Sequence, residues 1–215
     1  MSTFTTQQRN AIVRRLARAV RSATPTQRDQ GLVWYRDADR AIRDIAAITG
    51  PGVAPVSVDT VAGVFAELSP RTHVRTNVAW CAAMVHAART GQACPQVHTR
   101  VMRGQAWRIA RGEDWRDVLR GPKVRAFAAN LTGDHDPVTV DVWVVRAIMG
   151  DAAPKGGRIG AALYRECADI IRRVARAVGE APAVTQAIIW VVTKDAARYS
   201  AGNVVSAADE AAVAA

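Results

Sequence analysis

Apolar residues in this chain recur mostly every three to four positions, and this helical period is the strongest constraint on its fold. Residues 7–22 show the pattern, because Ile12, Leu16 and Val20 share one helical face and arginines occupy much of the rest. Strand-forming residues occur only in short runs, whereas Ala, Arg and Leu dominate the periodic stretches. The sequence therefore predicts an all-α fold, a compact multi-helix globule.

Proline, glycine and capping residues interrupt the period and divide the chain into separate predicted helices. The expected ranges are 7–22, 26–48, 58–67, 73–89, 96–110, 115–119, 123–131, 141–149, 159–178 and 183–197. Three regions follow from this division. Residues 1–55 are expected to form N-terminal basic helices, residues 56–200 a larger helical domain in one globule with them, and residues 201–215 a tail that forms a short helix or frays.

Charge is the unusual part of the composition. The chain has 29 Lys and Arg against 19 Asp and Glu, a net charge of +10. The excess is concentrated: residues 1–30 hold six Arg and one Asp, and residues 100–125 hold eight basic and three acidic residues. A basic chain of this kind favours a polyanionic partner, most simply nucleic acid. Because only three of the 29 are Lys, GC-rich coding is an equally simple explanation of the arginine content.

Cysteine usage and hydropathy indicate the compartment. Cys81, Cys94 and Cys167 are scattered without metal-ligand spacing, which favours a reducing cytoplasm. No apolar run approaches the ~20 residues that span a membrane, so no membrane partner is expected. The acid-free first 25 residues fit either an amphipathic helix or a transit peptide. The sequence "GDHD" at 133–136 is more typical of a turn than of a metal loop, and neither a metal nor a cofactor is expected.

One acidic residue is out of place in an apolar stretch, "PVTVDVWVVRA" at 137–147. In a helix, Asp141 would share a face with Val144, Val145 and Ile148, while Arg146 would point elsewhere. An unpaired carboxylate is costly to bury, so Asp141 requires an explanation. It is either the cap of a helix, a catalytic group, or both.

The chain resembles the helix-hairpin-helix (HhH-GPD) DNA glycosylases, the superfamily that includes endonuclease III. That family carries a Leu-Pro-Gly-x-Gly-x-Lys-Thr-Ala hairpin and, after a similar interval, a Val-Asp-x-His-x-x-Arg element. The matching positions in "LRGPKVRA" and "VTVDVWVVRA" are Leu119, Gly121 and Lys123, then Val140, Asp141 and Arg146. Trp143 stands where the family usually has His. The resemblance covers roughly residues 60–195. It implies a shortened, phage-type divergent member in the cytoplasm of a bacterial or phage-infected cell.

A third segment, "LSPRTHVRTN" at 68–77, is similar to the family's Leu-Ser-x-Gln element, which enters the gap left by a flipped base. Arg71 takes the place of the Gln. The hairpin itself departs from the family pattern, because it is shorter and lacks the second Gly. Pro122 has no N–H to offer a phosphate, so the hairpin's grip on DNA is expected to be reduced. The four-cysteine iron–sulfur motif of many members is missing, so no cluster is expected.

The resemblance assigns roles to individual residues. Asp141 would stabilise the positive charge that develops on the sugar when the N-glycosidic bond breaks, or activate water or an amine. Lys123 would act as an amine nucleophile if it lies near Asp141, or contact a phosphate instead. Arg71 would fill the gap left by the flipped base, and Trp143 would line the base pocket or belong to the core. The other DNA-binding residues implied are Asn77, Arg120, Gly121 and Arg125.

Three functions are compatible with these features. The first is a DNA glycosylase that flips a base of duplex DNA and cleaves its N-glycosidic bond. The second is a modification enzyme that exchanges a substituent on a hypermodified pyrimidine of phage-type DNA. The third is a DNA-binding module without catalytic activity, which the shortened hairpin favours. Product analysis separates the first two, and absence of turnover identifies the third.

Overall fold

The computed structural model describes residues 3–48, 55–154 and 159–200, and within them helices joined by loops are the only regular secondary structure. This confirms the predicted all-α class. The helices are α1 (Thr6–Arg21), α2 (Pro25–Ala47), α3 (Val58–Leu68), α4 (Val74–Arg89), α5 (Arg100–Ala110), α6 (Trp115–Val118), α7 (Pro122–Leu131), α8 (Val142–Met149), a 3-10 turn (Gly150–Ala152), α9 (Ala161–Val178) and α10 (Pro182–Ser200). The predicted tail at 201–215 lies outside the described residues.

Capping side chains explain where two helices begin later than their apolar patterns suggest. Helix α5 was expected from residue 96 but begins at Arg100, because Thr99 is extended and its hydroxyl accepts from the backbone N–H of Met102. Helix α8 was expected from residue 141 but begins at Val142, since Asp141 is extended and caps it. In both cases a side-chain acceptor satisfies an N–H that the helix itself leaves unpaired.

The chain divides into two compact units at Leu32–Val33, within α2, and at Thr139–Val140. One unit combines the residues before Val33 with those after Thr139, and the other is the continuous middle of the chain. The expected regions, residues 1–55 and residues 56–200 in one globule with them, stay a prediction. The two units follow from the packing, because α1 contacts α9 and α10, while α3 contacts α4, α5 and α7.

The middle unit is organised around α3. Every residue from Val61 to Leu68 is buried in the core cluster or beside it. Phe65 meets Phe127 of α7 at a ring-centroid distance of 6.3 Å. Gly63 faces α6, and an added Cβ would lie 2.5 Å from the Cβ of Trp115. Only glycine leaves room for this close approach, so Gly63 allows α6 to pack directly against α3.

In the other unit, α9 and α10 supply the buried apolar face. Ile170 and Ile171 of α9 and Ile188 and Ile189 of α10 are all almost fully buried. The backbone N of Ile188 approaches α2 at Gly31, where an added Cβ would lie 3.2 Å away. The described helices include none of the length and apolarity needed to cross a membrane.

Glu67 is a charged residue in the interior of the middle unit. Its side chain is 4% exposed, and burial raises its pKa from 4.5 to about 7. A carboxyl group with a raised pKa binds its proton more tightly in the folded state than in the unfolded state. Its contribution to stability is therefore complete below about pH 4.5 and is lost as the pH rises through 7.

Glu67→Gln should stabilise the protein at pH 8 by up to ~3 kcal/mol, because the neutral amide avoids the buried negative charge. The difference should vanish towards pH 4, where the native carboxyl is protonated. Thermal melts of both proteins across this pH range measure it. Glu113→Gln is the control of opposite sign, since the ion pair with Arg108 lowers the pKa of Glu113. A stability difference independent of pH would contradict the assignment.

Candidate functional site

Asp141 is the N-cap of α8 and lies half-buried at the start of an apolar helix. Its Oδ1 accepts hydrogen bonds from the backbone N–H groups of Trp143 at 3.0 Å and Val144 at 2.9 Å. Val144, Val145 and Ile148 are buried and Arg146 is exposed, as the helical pattern predicted. The carboxylate is thus placed beside the apolar face, where the positive end of the helix dipole stabilises it.

The second carboxylate oxygen is held by α10. Oδ2 of Asp141 accepts a hydrogen bond from the indole Nε1 of Trp190 at 2.9 Å. Nothing in a single sequence indicates that the N–H of Trp190 would reach an acid 49 positions away. Among the described residues three donors therefore fix Asp141. A carboxylate has about four acceptor positions, so one remains open on Oδ2.

Both tryptophans beside this carboxylate carry a cation over the ring. The guanidinium of Arg146 lies 4.7 Å from the ring centroid of Trp143, and the Lys194 ammonium lies 4.2 Å from that of Trp190. The carboxylate is thus held by the backbone N–H of one tryptophan and the indole N–H of another, and each of these two rings carries a cation over one face. One face of Trp143 is thereby occupied, so a base stacked on that face would have to displace Arg146.

Lys123 is the second residue of α7, directly after Pro122, and it is half-buried. The described part of the chain gives its ammonium no hydrogen bond or ion pair. Lys123 belongs to the middle unit, whereas Asp141 belongs to the other. Their expected pairing remains a prediction.

The shortened hairpin connects α6 to α7 through Leu119, Arg120 and Gly121. Gly121 caps α7 with φ −94°, a conformation that any residue adopts, and an added Cβ would meet only a Val124 methyl at 3.6 Å. Glycine is therefore not required by the backbone here, although it leaves the turn open to a ligand. Arg120 is exposed, and the Nε of Arg125 donates to the Leu119 carbonyl at 2.7 Å, which ties α7 to the turn.

The loop of Arg71 is held in an unusual conformation. Arg71 is exposed and has φ +59°, in the left-handed region that non-glycine residues seldom adopt. His98, itself at φ +52°, lies 2.9 Å through Nε2 from the carbonyl of Pro70. Nothing in the sequence distinguished His98 from the other histidines, so this contact was not expected.

Asn77 is placed away from solvent. Its side chain is 2% exposed, and its Nδ2 donates to the Phe65 carbonyl at 3.0 Å. The amide thus joins α4 to α3 in the core. The Asn77 side chain is therefore directed into the core and not towards the protein surface.

No group of three or more His, Cys, Asp and Glu side chains that could hold a metal ion occurs in the described ranges. In the "GDHD" loop, Asp134 Oδ1 accepts from the backbone N–H of Asp136 at 3.2 Å. This contact is typical of a turn in which aspartate satisfies the backbone two residues on.

Asp141→Ala should destabilise the protein by about 1–2 kcal/mol, because α8 loses its cap. Asp141→Asn should cost less, since asparagine is an equally good N-cap and loses mainly the Trp190 contact. Urea unfolding followed by circular dichroism measures both. Ser57→Ala, which removes the hydroxyl capping α3, calibrates an ordinary cap loss. Equal stability of Asp141→Ala and the wild type would contradict a capping role.

Comparison with known proteins identifies a family for this chain. Neither the curated proteins nor the solved structures contain a match to the chain. A family model does match, over residues 1–197, and its description is "Family of unknown function (DUF7178)". The chain therefore belongs to this family of unknown function.

Proposed function

We propose that the protein is a DNA-acting enzyme of the helix-hairpin-helix glycosylase type, which flips a base and cleaves its N-glycosidic bond with Asp141 as the essential carboxylate. The supporting observation is the placement of Asp141, half-buried at a helix N-terminus and fixed by three hydrogen-bond donors. The order and spacing of the hairpin, the Val-Asp element and the Arg71 segment add to it. The net charge of +10 fits a DNA partner.

A fixed carboxylate suits this reaction. When the C1′–N bond breaks, its electron pair leaves with the base and positive charge develops on the sugar. An oriented anion in a partly water-excluded position stabilises that charge without reorganising. Water then adds to C1′, and the proton it loses balances the negative charge on the departing base. The engagement of both Asp141 oxygens favours electrostatic stabilisation over proton abstraction as its main role.

Lys123 has two possible roles in this proposal. As a half-buried lysine without a partner among the described residues, it can bind a phosphate as a point charge. Alternatively, its unprotonated amine attacks C1′, displaces the base and forms a Schiff base with the opened sugar. Both roles leave Asp141 as the carboxylate that stabilises the sugar.

Asp141→Asn should abolish product formation and leave DNA binding and folding intact, because asparagine keeps the cap but removes the charge. The assay incubates the protein with DNA carrying damaged and naturally modified bases, then analyses released bases and digested nucleosides by mass. A free base with an abasic site identifies a glycosylase, whereas an altered nucleoside identifies base modification.

Asp114→Asn is the matched control, since Asp114 caps α6 through the backbone N–H of Arg116 and the same chemical change is made there. It should retain activity. If Asp141→Asn unfolds, or loses activity and binding together, the catalytic role of Asp141 fails. Full activity in Asp141→Asn would exclude it as well.

Borohydride should trap Lys123 covalently on substrate DNA if this lysine is the nucleophile, because reduction fixes the Schiff base. Lys123→Gln should then show neither trapping nor turnover. Lys155→Gln is the control, since it removes a different lysine of the chain. Activity in Lys123→Gln, without trapping in the wild type, would assign Lys123 to phosphate contact instead.

The second candidate function is a DNA-binding module without catalytic activity. The same three hydrogen bonds favour it, because a carboxylate that caps a helix and anchors an indole already has a complete structural role. Such a module would bind duplex DNA in a salt-dependent manner but would release no base and alter no nucleoside.

A further inference from the structure

Residues 68–112 form the most one-sided stretch of charge in the chain. They contain seven arginines and no Asp or Glu, and they include α4, α5 and the loops before each. The seven are Arg71, Arg75, Arg89, Arg100, Arg103, Arg108 and Arg111. Three of the four histidines of the chain also lie here.

A second long acid-free stretch, residues 1–28, differs because most of its arginines are engaged within their own unit. Arg9 pairs with Glu166. The remaining engaged residues are Arg15, bound to the carbonyls of α8, Arg21, bound to the Ala177 carbonyl, and Arg28, bound to the Val20 carbonyl. These side chains cap helices and join elements, so their charge serves the fold.

Most arginines of residues 68–112 lack such partners. Within the described residues, Arg71, Arg75 and Arg100 make no hydrogen bond or ion pair and are exposed. Arg103 contacts only the neutral side chain of Gln96. Four guanidinium groups are therefore left to solvent or to a partner, with no carboxylate in the intervening sequence to neutralise them.

These four arginines lie at the beginnings of two helices. Arg75 is in the first turn of α4, and Arg100 and Arg103 are in the first turns of α5. Neither first turn contains an acidic residue. The partial positive charge of each helix N-terminus thus adds to that of the arginines. We call Arg71, Arg75, Arg100 and Arg103 the α4–α5 basic end.

His98 joins the two helix beginnings. Its Nδ1 accepts from the backbone N–H of Thr99 at 2.7 Å, so its Nε2 carries the hydrogen and donates to the Pro70 carbonyl. Its ring packs edge-on against Trp80 of α4 at 5.5 Å between centroids. His98 at the start of α5 therefore holds the loop that presents Arg71 at the start of α4.

The chemistry of this end fits the phosphates of nucleic acid. Arginine binds phosphate oxygens in a bidentate manner, and its planar group also stacks on bases. The large apolar side chains exposed beside it are Val74 and Val101, which are 42% and 71% exposed. Two valines are suited to contact with sugars but give little area for insertion into a lipid surface.

We propose that the α4–α5 basic end is the surface through which the protein contacts the phosphate backbone of duplex DNA, with His98 as the residue that positions Arg71. The choice of DNA rests on the proposed function, whereas the surface itself rests on the charge and geometry above. In this proposal the phosphate contacts lie at the N-termini of α4 and α5, outside the shortened hairpin.

Arg75→Gln/Arg100→Gln should bind a labelled duplex of natural bases more weakly than the wild type. The slope of log affinity against log salt should become shallower by about two, because two phosphate contacts are lost. Fluorescence anisotropy at several salt concentrations measures this. The matched control is Arg14→Gln/Arg18→Gln, which removes two exposed arginines of α1 and should leave affinity and slope unchanged.

The proposal is overturned if Arg75→Gln/Arg100→Gln keeps the wild-type slope, or if both double variants lose the same amount. It is also overturned if the Arg75/Arg100 variant loses binding to anionic phosphatidylserine vesicles while its DNA binding is retained. The duplex contains no target base, so this measurement is independent of catalysis. Absence of turnover with this binding pattern would end the glycosylase proposal but support the surface.

His98→Asn tests the positioning role, since asparagine tolerates the left-handed conformation but is too short to reach Pro70. It should weaken DNA binding in the wild-type background and have no further effect in Arg71→Gln. Additive losses in the two backgrounds would show that His98 acts through general stability and not through Arg71.

Discussion

Burial of α3 is the constraint on which the middle unit depends. Because every residue from Val61 to Leu68 is inside, each neighbouring helix must fit the surface that α3 presents. Phe127 meets Phe65, Asn77 donates to a carbonyl of α3, and Trp115 fits against Gly63. The segment bearing Arg71 begins where α3 ends, so the packing of a buried helix fixes the starting point of an exposed loop.

In the other unit a single carboxylate links local and tertiary structure. Asp141 starts α8 through two backbone N–H groups and ties it to α10 through Trp190. This arrangement accounts for an acidic residue in an apolar sequence without requiring catalysis, and it is also compatible with the carboxylate role that we propose for it. Helix capping and the proposed catalytic role both require an oriented oxygen at position 141. For this reason only a substitution that keeps the cap can distinguish the two roles.

The sequence predicted what depends on local periodicity. The helices and their order followed from apolar spacing, and the exposure of Arg146 followed from its angle on α8. Contacts between distant residues were not predictable in the same way. The bond from Trp190 to Asp141 and that from His98 to Pro70 depend on tertiary packing, which gives no pattern in one sequence. The two compact units depend on tertiary packing in the same way, since α1 packs against helices at the far end of the chain.

The close approach of Trp115 to Gly63 has a consequence for the hairpin between α6 and α7. Helix α6 has four residues, too few to be stable alone, and Trp115 anchors it in a gap the size of one absent methyl group. Leu119 and the turn into α7 follow four residues later. The orientation of that turn is therefore determined by the packing of Trp115 in the interior of the protein. A methyl group added at Gly63 would displace Trp115 and thereby shift the turn between α6 and α7, although the methyl group does not contact that turn.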